Sequence, residues 1–409
     1  MNKTMLKKYA KLIAVTGVNV QKGQGVVIYA SVTQEEFVCA IASECYKAGA
    51  GWVDVEWNSQ DLTKVKLRGE SLKSLCQVPN WRKEKYQVLV DQLPATIHIL
   101  SDDPDGLRGV NQEKLHKSTL AQRKVRKIYL DQTDNKQQWT IAAAPSVKWA
   151  KKVFPRERPA AAKAKLWDAI LETVRVTKDN DPILAWERHN AALRERCEKL
   201  NGMKLNALRY KSANGTDFTV GLIPGALWLG GEEATIRGVR YNPNLPSEEI
   251  YTTPMRGKAE GTVVSSKPLS YRGQLIENFS ITFKSGKAVA VQAEKGEESL
   301  RDMIGSDENA AYLGEVALIP KNSPISESGI LFYETLFDEN SSCHLALGAG
   351  FNNTIPGFET MSQEELGKLG VNDSVIHVDF MIGTDDLEIS GFSEDGKTYI
   401  IFRDGKWAF

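Results

Sequence analysis

The hydrophobic and polar positions of this chain give its two halves different textures. In the first half, Gly25-Val26-Val27-Ile28-Tyr29-Ala30 is an apolar run of strand length. Trp52-Val53-Asp54-Val55-Glu56-Trp57 alternates as a strand does, and Ala95 to Leu100 and Trp139 to Ala143 are two further strand candidates. Long helix-period stretches separate them. Thr33 stands three residues before Glu36, a capping-box spacing that opens a helix, and Ala48-Gly49-Ala50-Gly51 closes it. Strand and helix in alternation imply right-handed crossovers and a largely parallel sheet. Gly49-Ala50-Gly51 lies between a helix and a strand, the wrong side for cradling a pyrophosphate, so this half reads as a scaffold and an oligomer surface.

From about Ala160 to Leu200 the pattern is helical, with Pro182 suited to a first helical position and Asn201-Gly202 to an end. Beyond it come strands and turns: Phe218 to Leu222, Ala259 to Ser265, Ser280 to Phe283, Lys287 to Gln292, Ile330 to Phe332 and Tyr399 to Phe402. Ser285-Gly286 and Asp395-Gly396 suit hairpins. The expected architecture is α/β, with a parallel-type α/β domain over 1–195 followed by a mixed α+β metal-binding domain over 196–409.

A length of 409 residues fits two domains better than one core. Lys plus Arg and Asp plus Glu balance at 52 each, so no net field favours nucleic acid or an anionic membrane. The basic run Arg123-Lys124-Val125-Arg126-Lys127 fits the solvated face of a helix. Five cysteines, an odd number with no C-x-x-C pair, fit a reducing compartment better than a disulfide framework. Lysines 3, 7, 8 and 11 precede an interrupted apolar run, which reads as an amphipathic first helix and not a signal peptide. With no apolar stretch of spanning length, the expectation is a soluble cytoplasmic protein.

Candidate chemistry gathers in the second half. Along Ile376-His377-Val378-Asp379-Phe380 the apolar residues point to one face, leaving His377 and Asp379 side by side on the other. An imidazole and a carboxylate on one rigid face suit a divalent metal, although a His–Asp pair in an edge strand also reads that way. His344 lies 377 − 344 = 33 residues upstream, and acids occur at Glu248-Glu249 and at Glu315, which opens an apolar run. Three carboxylates and two imidazoles suit a pair of cations bridged by a carboxylate. Two histidines and one carboxylate alone would suit a mononuclear iron oxygenase, with two acids unexplained. Cys343-His344 as a nucleophile–base pair is disfavoured, because neighbours in an extended chain point apart.

Several segments in order resemble the cytoplasmic metalloaminopeptidases of the aminopeptidase T and aminopeptidase S type. They include Asp217 to Leu222, Asn244 to Pro254, Lys267-Pro268-Leu269-Ser270-Tyr271, Gly314 to Leu318, Leu331 to Asn340, His344 to Gly348 and His377 to Gly383. The resemblance implies metal ligation by Glu249, Glu315, His344, His377 and Asp379, with Zn, Co or Mn as the two divalent ions. It implies removal of single residues from peptides with a free N-terminus, and a homodimer. It also places catalytic roles at Glu315 and at position 351, where Phe351 replaces the family's tyrosine. A phenyl ring cannot donate to an oxyanion, which opens the alternative of a fold-retaining peptide-binding protein with little activity. Glu248 and Glu339 are the candidates for a metal-free base.

Overall fold

The apolar run at Gly25 and the alternating segment at Trp52 become neighbours in a four-stranded parallel sheet. Its strands are β1 (Gly25–Ser31), β2 (Trp52–Asn58), β3 (Ala95–Leu100) and β4 (Trp139–Ala143), in the order β2-β1-β3-β4. Val26, Ile28 and Ala30 are fully buried on one face. The opposite face carries Tyr29 and His98, paired in register. The helix after β1 ends as expected at Gly49, whose φ of 108° lets its N–H reach the carbonyls of Cys45 and Tyr46. Its start differs from the expected capping box. Thr33 is tied to Ser31 through hydroxyl and backbone, a 3₁₀ turn covers Val32–Gln34, and the α-helix opens at Glu35.

This computed structural model describes residues 3–409. Two compact units result: one reaches Asn190 and includes Glu232–Pro246, the other comprises Ala191–Gly231 and Ser247–Phe409. The 195/196 boundary expected from the sequence lies inside the helix Pro182–Gly202. Among the described residues no helix is long and apolar enough to cross a membrane.

The second unit holds two antiparallel sheets. The larger has nine strands, among them Asp217–Leu222, Pro254–Val264, Gln274–Lys284 and Lys287–Lys295. Ser285 and Gly286, at φ of 50° and 81°, form the two-residue hairpin turn between the last two. The smaller sheet has the order His377–Met381, His344–Gly348, Leu313–Leu318, Ile250–Thr252. One core joins the two, with Leu345, Leu347, Val378 and Phe380 buried among Phe218, Phe279 and Phe283. The fold is thus mixed α/β, a parallel sheet followed by antiparallel ones. Ile330–Phe332 is not a strand. The Asp338 carboxylate accepts from the backbone N–H groups of Phe332 and Glu334, which replaces ladder pairing with a tight turn.

Candidate metal centre

The smaller sheet determines where the sequence-derived residues lie. Leu345, Leu347, Val378 and Phe380 face the core, so His344, Ala346, His377 and Asp379 occupy the other face. Cross-strand register then aligns Glu315, Ala346 and Asp379 in one row. His344 stands opposite Ala317, and His377 opposite Gly348. Glu315 and Asp379 therefore flank the methyl group of Ala346 and His377 faces the hydrogen of Gly348, while His344 has Ala317 on one side and Met381 on the other. Directly opposed Cβ atoms are only about 5 Å apart, so larger neighbours would fill the space into which these side chains converge. Glu315 sits within the strand Leu313–Leu318, not at its start as expected. Glu249 immediately precedes the strand Ile250–Thr252.

The five residues meet in two overlapping groups. Glu249, Glu315 and His344 offer ligand atoms within 4.8 Å of one another, and so do Glu315, His377 and Asp379. Glu315 belongs to both. Its Oε1 lies 3.9 Å from His344 Nε2 and its Oε2 lies 3.0 Å from His377 Nε2. Glu249 Oε2 is 3.4 Å from His344 Nε2, and Asp379 Oδ1 is 3.2 Å from His377 Nε2.

Both imidazoles are oriented by main-chain carbonyls. His344 Nδ1 lies 3.1 and 3.2 Å from the carbonyls of Glu339 and Ser342, and His377 Nδ1 lies 2.7 Å from that of Ala349. A carbonyl only accepts, so each Nδ1 carries the hydrogen and each Nε2 is turned toward carboxylates. A neutral ring there would set a lone pair against anionic oxygen. A cation must sit between them, whether a proton or a metal. This is the orientation that metal-binding histidines adopt. Asp379 Oδ1 is also buried without a hydrogen bond, because the His377 ring, though near, is off the line a bond requires. An orphaned carboxylate oxygen beside two aimed imidazoles fits a divalent cation.

Protons take the cation's place in the bare chain. Burial opposes the charge on His344, but the hydrogen bond to Glu249 and the charges of Glu315, Glu249 and Asp379 outweigh it and push the ring up to about 9. Burial likewise opposes charge on His377, and Asp379 and Glu315 raise it well above its ordinary value. Burial pushes Glu315 up to about 7, the His377 hydrogen bond opposing and the Asp379 and Glu249 charges adding. Asp379 feels the same burial, yet the charge of His377 holds it well below the usual carboxylate range.

Glu339 completes the cluster. Burial first, then the charges of Asp379, Glu249 and Glu315, raise it well above the usual range, and its protonated form hydrogen-bonds to Asp379. Of Glu248, the backbone N–H donates to Asn340 Oδ1 at 2.7 Å. The Phe351 ring packs 4.9 Å from that of His377 and 5.0 Å from that of Tyr251. Tyr251 accepts a hydrogen bond from Asn353 Nδ2 at 3.3 Å. Cys343 faces the core, its thiol pushed up to about 12 by burial, so it does not form a pair with His344.

A buried cluster of carboxylates and imidazoles whose chemistry fits divalent cations is the kind of site metallohydrolases carry. The chain belongs to the thermophilic metalloprotease (M29) family, whose pattern matches residues 2–407. Aminopeptidase AmpS of Bacillus subtilis (strain 168) is 42% identical over 406 residues, 99% of this chain and 98% of its own length. Aminopeptidase T of Thermus thermophilus is 38% identical over 406 residues, again 99% and 98%. The structure of wild-type AmpT from Thermus thermophilus matches with a TM-score of 0.90 over 100% of both chains. A 2,5-dihydroxypyridine dioxygenase from Pseudomonas putida, 13% identical with a TM-score of 0.53 over 100% of this chain and 98% of its own, shares the fold alone. This protein is a metal-dependent aminopeptidase, a hydrolase acting on peptides. The oxygenase and idle-binder readings are not favoured.

Proposed function

We propose that Glu249, Glu315, His344, His377 and Asp379 would hold two divalent cations, zinc, cobalt or manganese, with Glu315 common to both ligand groups. The observation that carries this reading is the division of Glu315, one oxygen toward each histidine. Charge supports it. With neutral imidazoles, Glu249, Glu315, Glu339 and Asp379 sum to −4 when ionised, which two divalent ions balance. Cations bound here would bring the pKa of a water near neutrality and polarise the scissile carbonyl.

The remaining roles belong to the chain. Glu339, in contact with Asp379 and outside both ligand groups, takes a proton from the attacking water and returns it to the leaving amine. Its protonation in the bare cluster reflects uncompensated negative neighbours, and bound cations would lower its pKa. Phe351 closes one side of the site against His377 and excludes water without offering a hydrogen bond. The free amine of the substrate would be anchored at the cation site or by a nearby acid. We place the enzyme in the cytoplasm as a homodimer; all five thiols are free, which suits a reducing compartment.

The test is hydrolysis of free and N-acetylated dipeptide amides by metal-stripped protein, with and without Zn, Co or Mn. Turnover should require metal and a free amine, at about two ions per chain. His377→Ala and Asp379→Ala should lose bound metal and turnover together. Full activity in either variant, or saturation at one ion per chain, would overturn the assignment.

A further inference from the structure

The face of the parallel sheet that carries Tyr29 and His98 is roofed by the helices Asn80–Gln92 and Gln112–Thr133. The first of these has no buried residue, and sheet and roof line a solvent-open cavity of about 390 Å³. That is within the size range of small-molecule sites.

Its lining has a specific chemistry. The rings of Tyr29 and His98 lie parallel, 4.6 Å apart at 6°, and form one side. Tyr86 and Tyr129, with centroids 5.4 Å apart, come from the roof helices, and Trp139 from β4. Arg126 is the only Lys or Arg of the lining. Its charge reaches both Tyr29 and His98, and it makes no hydrogen bond or ion pair among the described residues. Burial, and then Arg126, pull the His98 ring down to about 4, so it is neutral at physiological pH. Gln137 Oε1, also of the lining, is buried with no hydrogen-bond donor. The acid of the lining, Asp134, already interacts with Tyr241.

We propose that this cavity is a binding site for a small aromatic carboxylate that carries an N–H group. Stacked and tilted rings offer faces and edges to a planar ligand. The unpaired guanidinium of Arg126 fits a carboxylate in a two-bond fork. The orphaned Gln137 oxygen takes the ligand's N–H. The basic run at Arg123 is thus not only a free helix face, since Arg126, though solvent-exposed, lines the cavity. The proposal concerns the first unit only and does not depend on the metal assignment.

Indole-3-acetate is a suitable probe: it has the ring, the N–H and the carboxylate, and no free amine for the catalytic site to recognise. Calorimetric titration of the metal-loaded enzyme should show one site per chain. Arg126→Ala should weaken binding about tenfold or more, and so should replacing the probe by neutral indole-3-acetamide. Peptidase activity of Arg126→Ala should stay at the wild-type level, which also shows that the variant is folded. No binding to the wild type, or equal binding to Arg126→Ala or of the amide, overturns the proposal.

Discussion

Stripping the metal should leave an enzyme whose stability falls as pH rises, and reloading it should remove most of that fall. In the bare cluster His344 is raised from the ordinary 6.5 to about 9. A histidine raised on folding contributes its stability fully below the unfolded value and loses it as pH climbs through the folded one. At about 1.36 kcal/mol per pH unit, the interval from 6.5 to about 9 corresponds to about 3 kcal/mol. His377 is raised too and acts in the same direction. Glu315, a carboxyl raised to about 7, adds a penalty that is absent below 4.5 and complete above 7, so its sign agrees. The three share the same interactions and do not add, so about 3 kcal/mol is the scale for the cluster.

Two groups outside the ligand set calibrate the assay. Burial depresses His98 to about 4, so it stays silent above pH 6.5. Burial raises Asp338 to about 7, so its penalty is complete above that pH and leaves the rest of the window to the cluster. Urea unfolding between pH 6.5 and 9.5 is therefore compared between the two forms. With a slope of about 2–3 kcal/mol per molar urea, the stripped protein should lose about 1 M more in midpoint than the loaded one. A stripped midpoint that is flat, or that rises with pH, would refute the account of the imidazoles as cation placeholders.

Two substitutions probe the surroundings of the cluster. Phe351→Tyr places a phenol beside His377, where the ring centroids are 4.9 Å apart. An oxyanion donor is worth about 2.7–4 kcal/mol in a site built for it, and recovering part of that should raise kcat about tenfold; an unchanged or lower kcat counts against an open donor position. Gly348→Ala puts a methyl group 2.1 Å from the Ile376 carbonyl oxygen at φ of 106°. It should cost about 2 kcal/mol or more and, because Gly348 pairs with His377, weaken metal binding measured by titration. Unaltered metal affinity would show that the spacing of the two strands is not critical.

Local pattern carried much of this molecule. Alternation at Ile376 to Phe380 placed His377 and Asp379 on one face because period two is enforced by the backbone, and the parallel strands of the first unit announced themselves through apolar runs. The division of Glu315 between two histidines was not legible. It depends on register among strands that are far apart in sequence and on small residues at 317, 346 and 348, which look unremarkable in a linear chain. Ile330–Phe332 misled because an acid six residues downstream takes the backbone donors that a strand would use. Glu232–Pro246 lies within the second half of the sequence yet packs with the first unit, and nothing in its composition marks that return. Arg126 was hidden for a similar reason: a basic run on a helix has two faces, and only the fold shows which residue borders the cavity.

The order of the small sheet sets a time of birth for the activity. Its outermost strand, His377–Met381, is the last of the four to be synthesised and brings two of the five convergent residues. A growing chain that has made everything up to His344 holds only Glu249, Glu315 and His344 of the five. On the proposed assignment, the ligand set is complete only once the strand His377–Met381 has joined the sheet.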